Sequence, residues 1–190
     1  MLLAIYFENP FGRPAAAGNL QKASAAAGAA AIAVAPAAEA AIVHSGQQDL
    51  MVSSSATSID IDGDGDMDAE FSHSSSYASV EPRNGASFII TNSSSYFARD
   101  LSANYNISDS LSTGYWAAQS GYLVISGSGG FEGGGNEYIG VRFTNNGTGQ
   151  IHYGWIQVNV AAGGTSVKIV DWAWEDTPNT PIPRGRYRSA

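Results

Sequence analysis

The chain has no cysteine and little charge: Asp, Glu, Lys and Arg make up 14% of its 190 residues. Without thiols there is no disulfide framework, cysteine nucleophile, zinc thiolate centre or iron–sulfur cluster. Lys and Arg number 9 against 17 Asp and Glu, giving a formal net charge of −8, which excludes the basic groove that nucleic acid requires. The Glu, Lys and Leu enrichment of surface helices is missing, whereas 22 Gly and abundant Ser and Asn favour strands and turns. No apolar run suits a membrane-spanning helix, which needs about 20 residues. No G-x-S-x-G elbow holds a serine, and His44, His73 and His152 lack metal-ligand spacing. The chain is therefore expected not to be an enzyme.

What is present is 44% hydrophobic and 11% aromatic residues, enough for one domain with a real core. From Gln21-Lys22 the sequence runs through a small apolar stretch to Pro36 and Ala38-Glu39-Ala40. That order, a positive residue, an apolar segment and a small-x-small site, predicts a signal peptide cleaved after Ala40. The preceding Met1–Asn19, with Pro10 and Pro14, is an unusual extension for such a peptide, and a start near Leu20 would account for it. The mature chain of about 150 residues is long enough to bury roughly 68–70% of its unfolded surface.

Apolar runs of strand length alternate with Gly, Asn, Asp and Ser clusters: 41–44, 58–61, 69–71, 87–91, 115–118, 122–126, 137–143, 151–160 and 165–172. Short strands separated by turn residues predict an all-β antiparallel β-sandwich, jelly-roll or concanavalin-like. Ile139, Val141 and Phe143 share one strand face and are assigned to the core. Asn146-Gly147 then marks a hairpin turn. In the returning strand the apolar face changes near Gly154–Trp155, which predicts either a bulge or a strand covered on both sides.

The stretch SIDIDGDGDMDAEF puts a carboxylate at every second position from Asp60 to Asp68, and six of the 17 acidic residues lie between Asp60 and Glu70. Counted from Asp60, Asp62 and Asp64 fall at positions 3 and 5, Gly65 at 6, Asp66 at 7 and Asp68 at 9. This is the first half of a calcium loop, in which the glycine turns the chain and position 7 ligates through its carbonyl. Phe71 stands where an EF-hand has its bidentate Glu, and the flanks read as strands. The expectation is a Ca2+ site built from Asp60, Asp62, Asp64, Asp66 and Asp68 in a loop between strands, with affinity near the extracellular range of about 10⁻⁴–10⁻³ M. An acidic solvated turn is the competing expectation.

Glu137 and Glu175, flanked by Tyr138, Trp172 and Trp174, have the composition of a glycosidase pair. The alternative, which we favour, pairs Glu175 with Arg142 across strands and uses the tryptophans as packing.

The C-terminal third, EYIGVRFTNNGTGQIHYGWIQVNV followed by VKIVDWAWEDTPNTPI, resembles a module of secreted bacterial proteins that usually precedes a PEP-CTERM-type sorting tail. The resemblance rests on Tyr138–Phe143, His152–Trp155 and Ala173–Glu175, with an upstream Asp-rich loop. It implies an extracellular or cell-envelope β-sandwich of unassigned role, structural or adhesive, or alternatively a calcium-assisted carbohydrate-binding module. Extracellular polysaccharide or other surface proteins are the partners implied, with no nucleic acid and no membrane span in the mature chain. After Pro181-Ile182-Pro183 the sequence ends RGRYRSA, without Pro-Glu-Pro or an apolar span, so release rather than anchoring is expected. The expected organisation is an extension plus signal peptide over 1–40, a sandwich over 41–180 and a basic flexible tail over 181–190.

Overall fold

The computed structural model describes residues 40–53, 55–94, 96–187. The expected signal peptide lies almost wholly outside the described residues. Among the described residues thirteen strands follow one another: β1 (Ile42–His44), β2 (Leu50–Met51), β3 (Thr57–Ile59), β4 (Ala69–His73), β5 (Tyr77–Pro82), β6 (Ser87–Ile90), β7 (Asn106–Ile107), β8 (Tyr115–Ala117), β9 (Gly121–Ile125), β10 (Asn136–Asn145), β11 (Gln150–Val160), β12 (Val167–Glu175) and β13 (Ile182–Pro183). A short 3-10 turn, Ala162–Gly164, joins β11 to β12. No helix among the described residues is long and apolar enough to cross a membrane.

The strands form an antiparallel sandwich. The larger sheet has the order β1-β12-β11-β10-β6-β8, with β2 also on β12, and the smaller has the order β3-β4-β5-β9. Apolar side chains from both sheets meet between them: Phe71, Val80 and Leu123 from the smaller, and Phe88, Ile139, Val141, Phe143, Ile156 and Val158 from the larger. Ile139, Val141 and Phe143 thus lie in the core, on the face that alternation assigned to it.

The strand β11 is covered on both sides. Its even residues Ile156, Val158 and Val160 face the smaller sheet, while Tyr153 and Trp155 face a second cluster with Ile89, Leu101, Ile107 and Ile182. Coverage on both sides accounts for the face change near Gly154–Trp155. Gly140 serves the same close packing, because a Cβ there would lie 2.5 Å from Ile89 Cδ1. A bulge exists as well, but further along, between Gln157 and Val158, where β12 carries the extra residue Val170.

Two segments depart from expectation. The hairpin after β10 is a four-residue loop rather than a tight Asn-Gly turn: Asn145 pairs with Gln150, and Gly149 N–H donates to the Asn145 carbonyl at 2.7 Å. Residues 181–187, expected as a flexible tail, are docked: β13 pairs with β7, Ile182 is wholly buried, and the Tyr187 ring lies edge-on to Trp155 at 5.2 Å. The physical reason is that Trp155 of the larger sheet and Ile107 of β7 present an apolar outer surface, which this segment covers.

Candidate metal centre

The aspartate run is the β3–β4 loop. Two strands that are neighbours in the sheet fix its ends, since Ile59 is opposite Ala69 and Asp68 N–H donates to the Ile59 carbonyl at 3.0 Å. Inside the loop the carboxylates fold the backbone around themselves. Asp60 accepts from Gly63 N–H through Oδ1 at 2.7 Å and from Gly65 N–H through Oδ2 at 2.9 Å. Asp62 accepts from Asp64 N–H, and Asp64 from Asp66 N–H. Gly65 has φ +99°, a conformation nearly reserved for glycine, so the position that the sequence assigns to a sharp turn makes one.

Three carboxylates converge. One oxygen each from Asp60, Asp62 and Asp68 lies within 4.8 Å of the others, and this is the group among the described residues in which a metal could be held by His, Asp or Glu. Charges at that spacing repel by about 3–4 kcal/mol per pair at an effective dielectric near 20. Asp68 is 4% exposed, and burial, reinforced by the charges of Asp62, Asp60 and Asp64, pushes its pKa up to about 7, although an Ile61 N–H bond of 2.8 Å opposes the rise. Burial also raises the Asp62 pKa. The donor set is all carboxylate oxygen, the hard chemistry that calcium prefers, and ligands about 2.3–2.6 Å from a shared ion span the observed spacing. These residues fit the ion.

Asp64 and Asp66 are placed differently. Their side chains turn to the β10–β11 hairpin: Asn146 N–H donates to Asp64 Oδ2 at 2.8 Å, and the Asn146 amide donates to Asp66 Oδ2. Asn145 Nδ2 donates to Asp62 Oδ2 at 2.8 Å, tying one of the converging carboxylates to the same hairpin. Behind the loop, Trp172 Nε1 of β12 donates to the Ile61 carbonyl at 3.1 Å. The loop of the smaller sheet is therefore bound to two strands of the larger one. Asn145 and Asn146 escape sequence reasoning, because Asn-Asn-Gly is fully explained as a turn; only the extra Asn hints at a second duty.

The other candidates separate. Glu137 is opposite Val158, and Val158 opposite Ile169, six residues before Glu175. That places the two glutamates roughly 20 Å apart along the strands, too far for the ~5–9.5 Å of a glycosidase pair. The expected Arg142–Glu175 pair is also not formed, because their strands β10 and β12 flank β11 and are not neighbours. Arg142 instead meets Asp109 at 3.5 Å and lies over Trp116 at 5.0 Å, while buried Glu175 accepts from Thr177 N–H. Trp172 and Trp174 pack against the core rather than forming an exposed platform.

The histidines work singly. His44 pairs with Asp171 at 3.2 Å, His73 bonds the Val52 carbonyl, and buried His152 bonds the Glu175 carbonyl and stacks on Phe143. No protein-family model, curated protein or solved structure matches the chain.

Proposed function

We propose that the chain is a secreted or cell-surface-associated, non-catalytic β-sandwich module with a structural or adhesive role, stabilised by calcium at the Asp60–Asp68 loop. The observation that carries this reading is the convergence of Asp60, Asp62 and buried Asp68 on one point. A divalent ion there removes the repulsion among three carboxylates and lets Asp68 stay ionised in a buried setting. Three protein carboxylates are few for a calcium site, so affinity falls toward the millimolar range, which only extracellular calcium satisfies. The resemblance to secreted sandwich modules supports the same compartment. Tryptophans packed inward support a structural role over a tryptophan-lined sugar platform.

Titration calorimetry tests the proposal. Wild type binds one calcium at submillimolar to millimolar concentration, and Asp60→Asn with Asp62→Asn binds none. Heat from the double variant equal to that of wild type would move the ion elsewhere. N-terminal sequencing of secreted material is expected to begin near Ala41, and recovery of intact Met1 outside the cell contradicts the signal peptide.

A further inference from the structure

The outward face of the smaller sheet is divided. At one end Glu70 and Glu81 face each other across β4 and β5 and share Arg83 between them, at 2.5 Å and 3.1 Å. Two pairs further along the same strands, at the next outward-facing pair, the charges stop. Ser72 is opposite Ser79, Ser79 is opposite Tyr122, and Tyr77 lies beside them, forming the floor of an open groove of about 540 Å³. Tyr96 and the Gln119-Ser120 segment complete the walls.

We infer that this groove binds a neutral oligosaccharide. No lining residue carries a formal charge at neutral pH, although the chain has net charge −8, so an ionic ligand finds no counter-charge here. A purely apolar ligand would strand the Ser120 hydroxyl and the Gln119 amide without partners. A sugar chain meets both demands, because its C–H faces lie on aromatic rings and its hydroxyls exchange hydrogen bonds with serine and amide groups. The volume falls within the usual range for ligand sites.

The groove is also built in advance. The Tyr122 ring is held edge-on by Tyr77 at 6.2 Å and flanked by Phe97 at 6.5 Å. Ser72 and Ser79 bond each other at 2.9 Å, which fixes both hydroxyls and leaves one of them a proton to donate. Tyr96 has φ +50°, an outlier for a bulky side chain, and its carbonyl accepts from Tyr122 N–H at 2.7 Å. Strain at the rim is thus coupled to the central tyrosine. The site does not involve the aspartate loop, which joins the opposite ends of β3 and β4.

A glycan array carrying neutral and acidic oligosaccharides tests the inference, run with wild type, Tyr122→Ala and Gln119→Ala in calcium-containing buffer. Binding confined to neutral glycans is expected, with Tyr122→Ala weakened roughly tenfold, equivalent to about 1.4 kcal/mol. Gln119 lies outside the strands, so its variant keeps the sheet intact and decides the matter if Tyr122→Ala melts early. Several-fold weakening is expected there. Absence of binding to any neutral glycan, binding to acidic glycans alone, or binding unchanged in both variants would overturn the assignment.

Discussion

At the scale of single residues, burial of carboxyl groups governs the behaviour. Asp68 is nearly wholly buried, and its pKa of about 7 lies above the ordinary carboxylate value, so the folded state binds its proton more tightly than the unfolded state does. Without an ion, stability is then full below about pH 4 and falls as pH rises toward 7. Asp68→Asn retains an acceptor for Ile61 N–H and removes the charge. In chelator at pH 8 it should be more stable than wild type by about 2–4 kcal/mol, and in calcium it should lose that advantage, as paired denaturant titrations would show. Glu137 offers the same test away from the loop. Its Oε2 is buried without a hydrogen-bond partner among the described residues, and burial, with the charge of Asp100 added, raises its pKa to about 7. Its contribution is likewise present at low pH and lost as pH rises from about 4.5 to 7, so Glu137→Gln should flatten that part of the melting-temperature profile. An unchanged profile would show that Glu137 is solvated. Sequence reading located the Asp60–Asp68 run and its turning glycine, because alternation and a glycine at a fixed offset are local signals. It did not reveal that Asp64 and Asp66 turn to Asn146, because that contact joins residues about 80 positions apart.

Among the elements, the long strands were the most legible. β10, β11 and β12 show as long apolar runs, β10 with a plain two-residue period, and coverage on both faces explains why β11 is buried throughout its centre. The short pieces were not legible. β7 and β13 have two residues each and exist only because they pair with each other over the apolar outer surface of the larger sheet, a tertiary cause with no local pattern. β5 is absent from the strand-length runs that the sequence shows, although Ala78 and Val80 inward and Tyr77, Ser79 and Glu81 outward keep the alternation, because Tyr-Ala-Ser-Val contains too little apolar mass. The docked β13 yields a prediction. Removing residues 181–190 uncovers Ile107 and Trp155 and deletes the Arg184 contact over Tyr138 at 4.3 Å. Loss of Ile182 burial alone costs about 2–5 kcal/mol. The truncated protein should therefore melt well below wild type and bind a hydrophobic dye. A melting temperature equal to that of wild type would restore the flexible-tail reading.

For the whole molecule, the aspartate loop matters because of what it joins. It belongs to the smaller sheet, yet Asn145, Asn146 and Trp172 of the larger sheet hold it, so an ion among Asp60, Asp62 and Asp68 would lock one end of the sandwich. In a chain without disulfides, such an ion would act as a staple between the two sheets. Replacing Asn145 and Asn146 together with alanine should weaken the calcium dependence without abolishing it, since the converging carboxylates remain, and calorimetry would show the reduced affinity. Calcium is proposed to stabilise the fold through this loop. Thermal melts of wild type and of Asp60→Asn with Asp62→Asn, each in calcium and in chelator, test it most directly. Calcium at a hundred times its dissociation constant adds about 2.7 kcal/mol, a rise of roughly 5–10 °C for a domain of this size. That rise is expected for wild type and none for the double variant. Equal melting temperatures for wild type in chelator and in calcium raised to about 100 mM, a hundred times a millimolar dissociation constant, would contradict it and leave the run as an acidic turn.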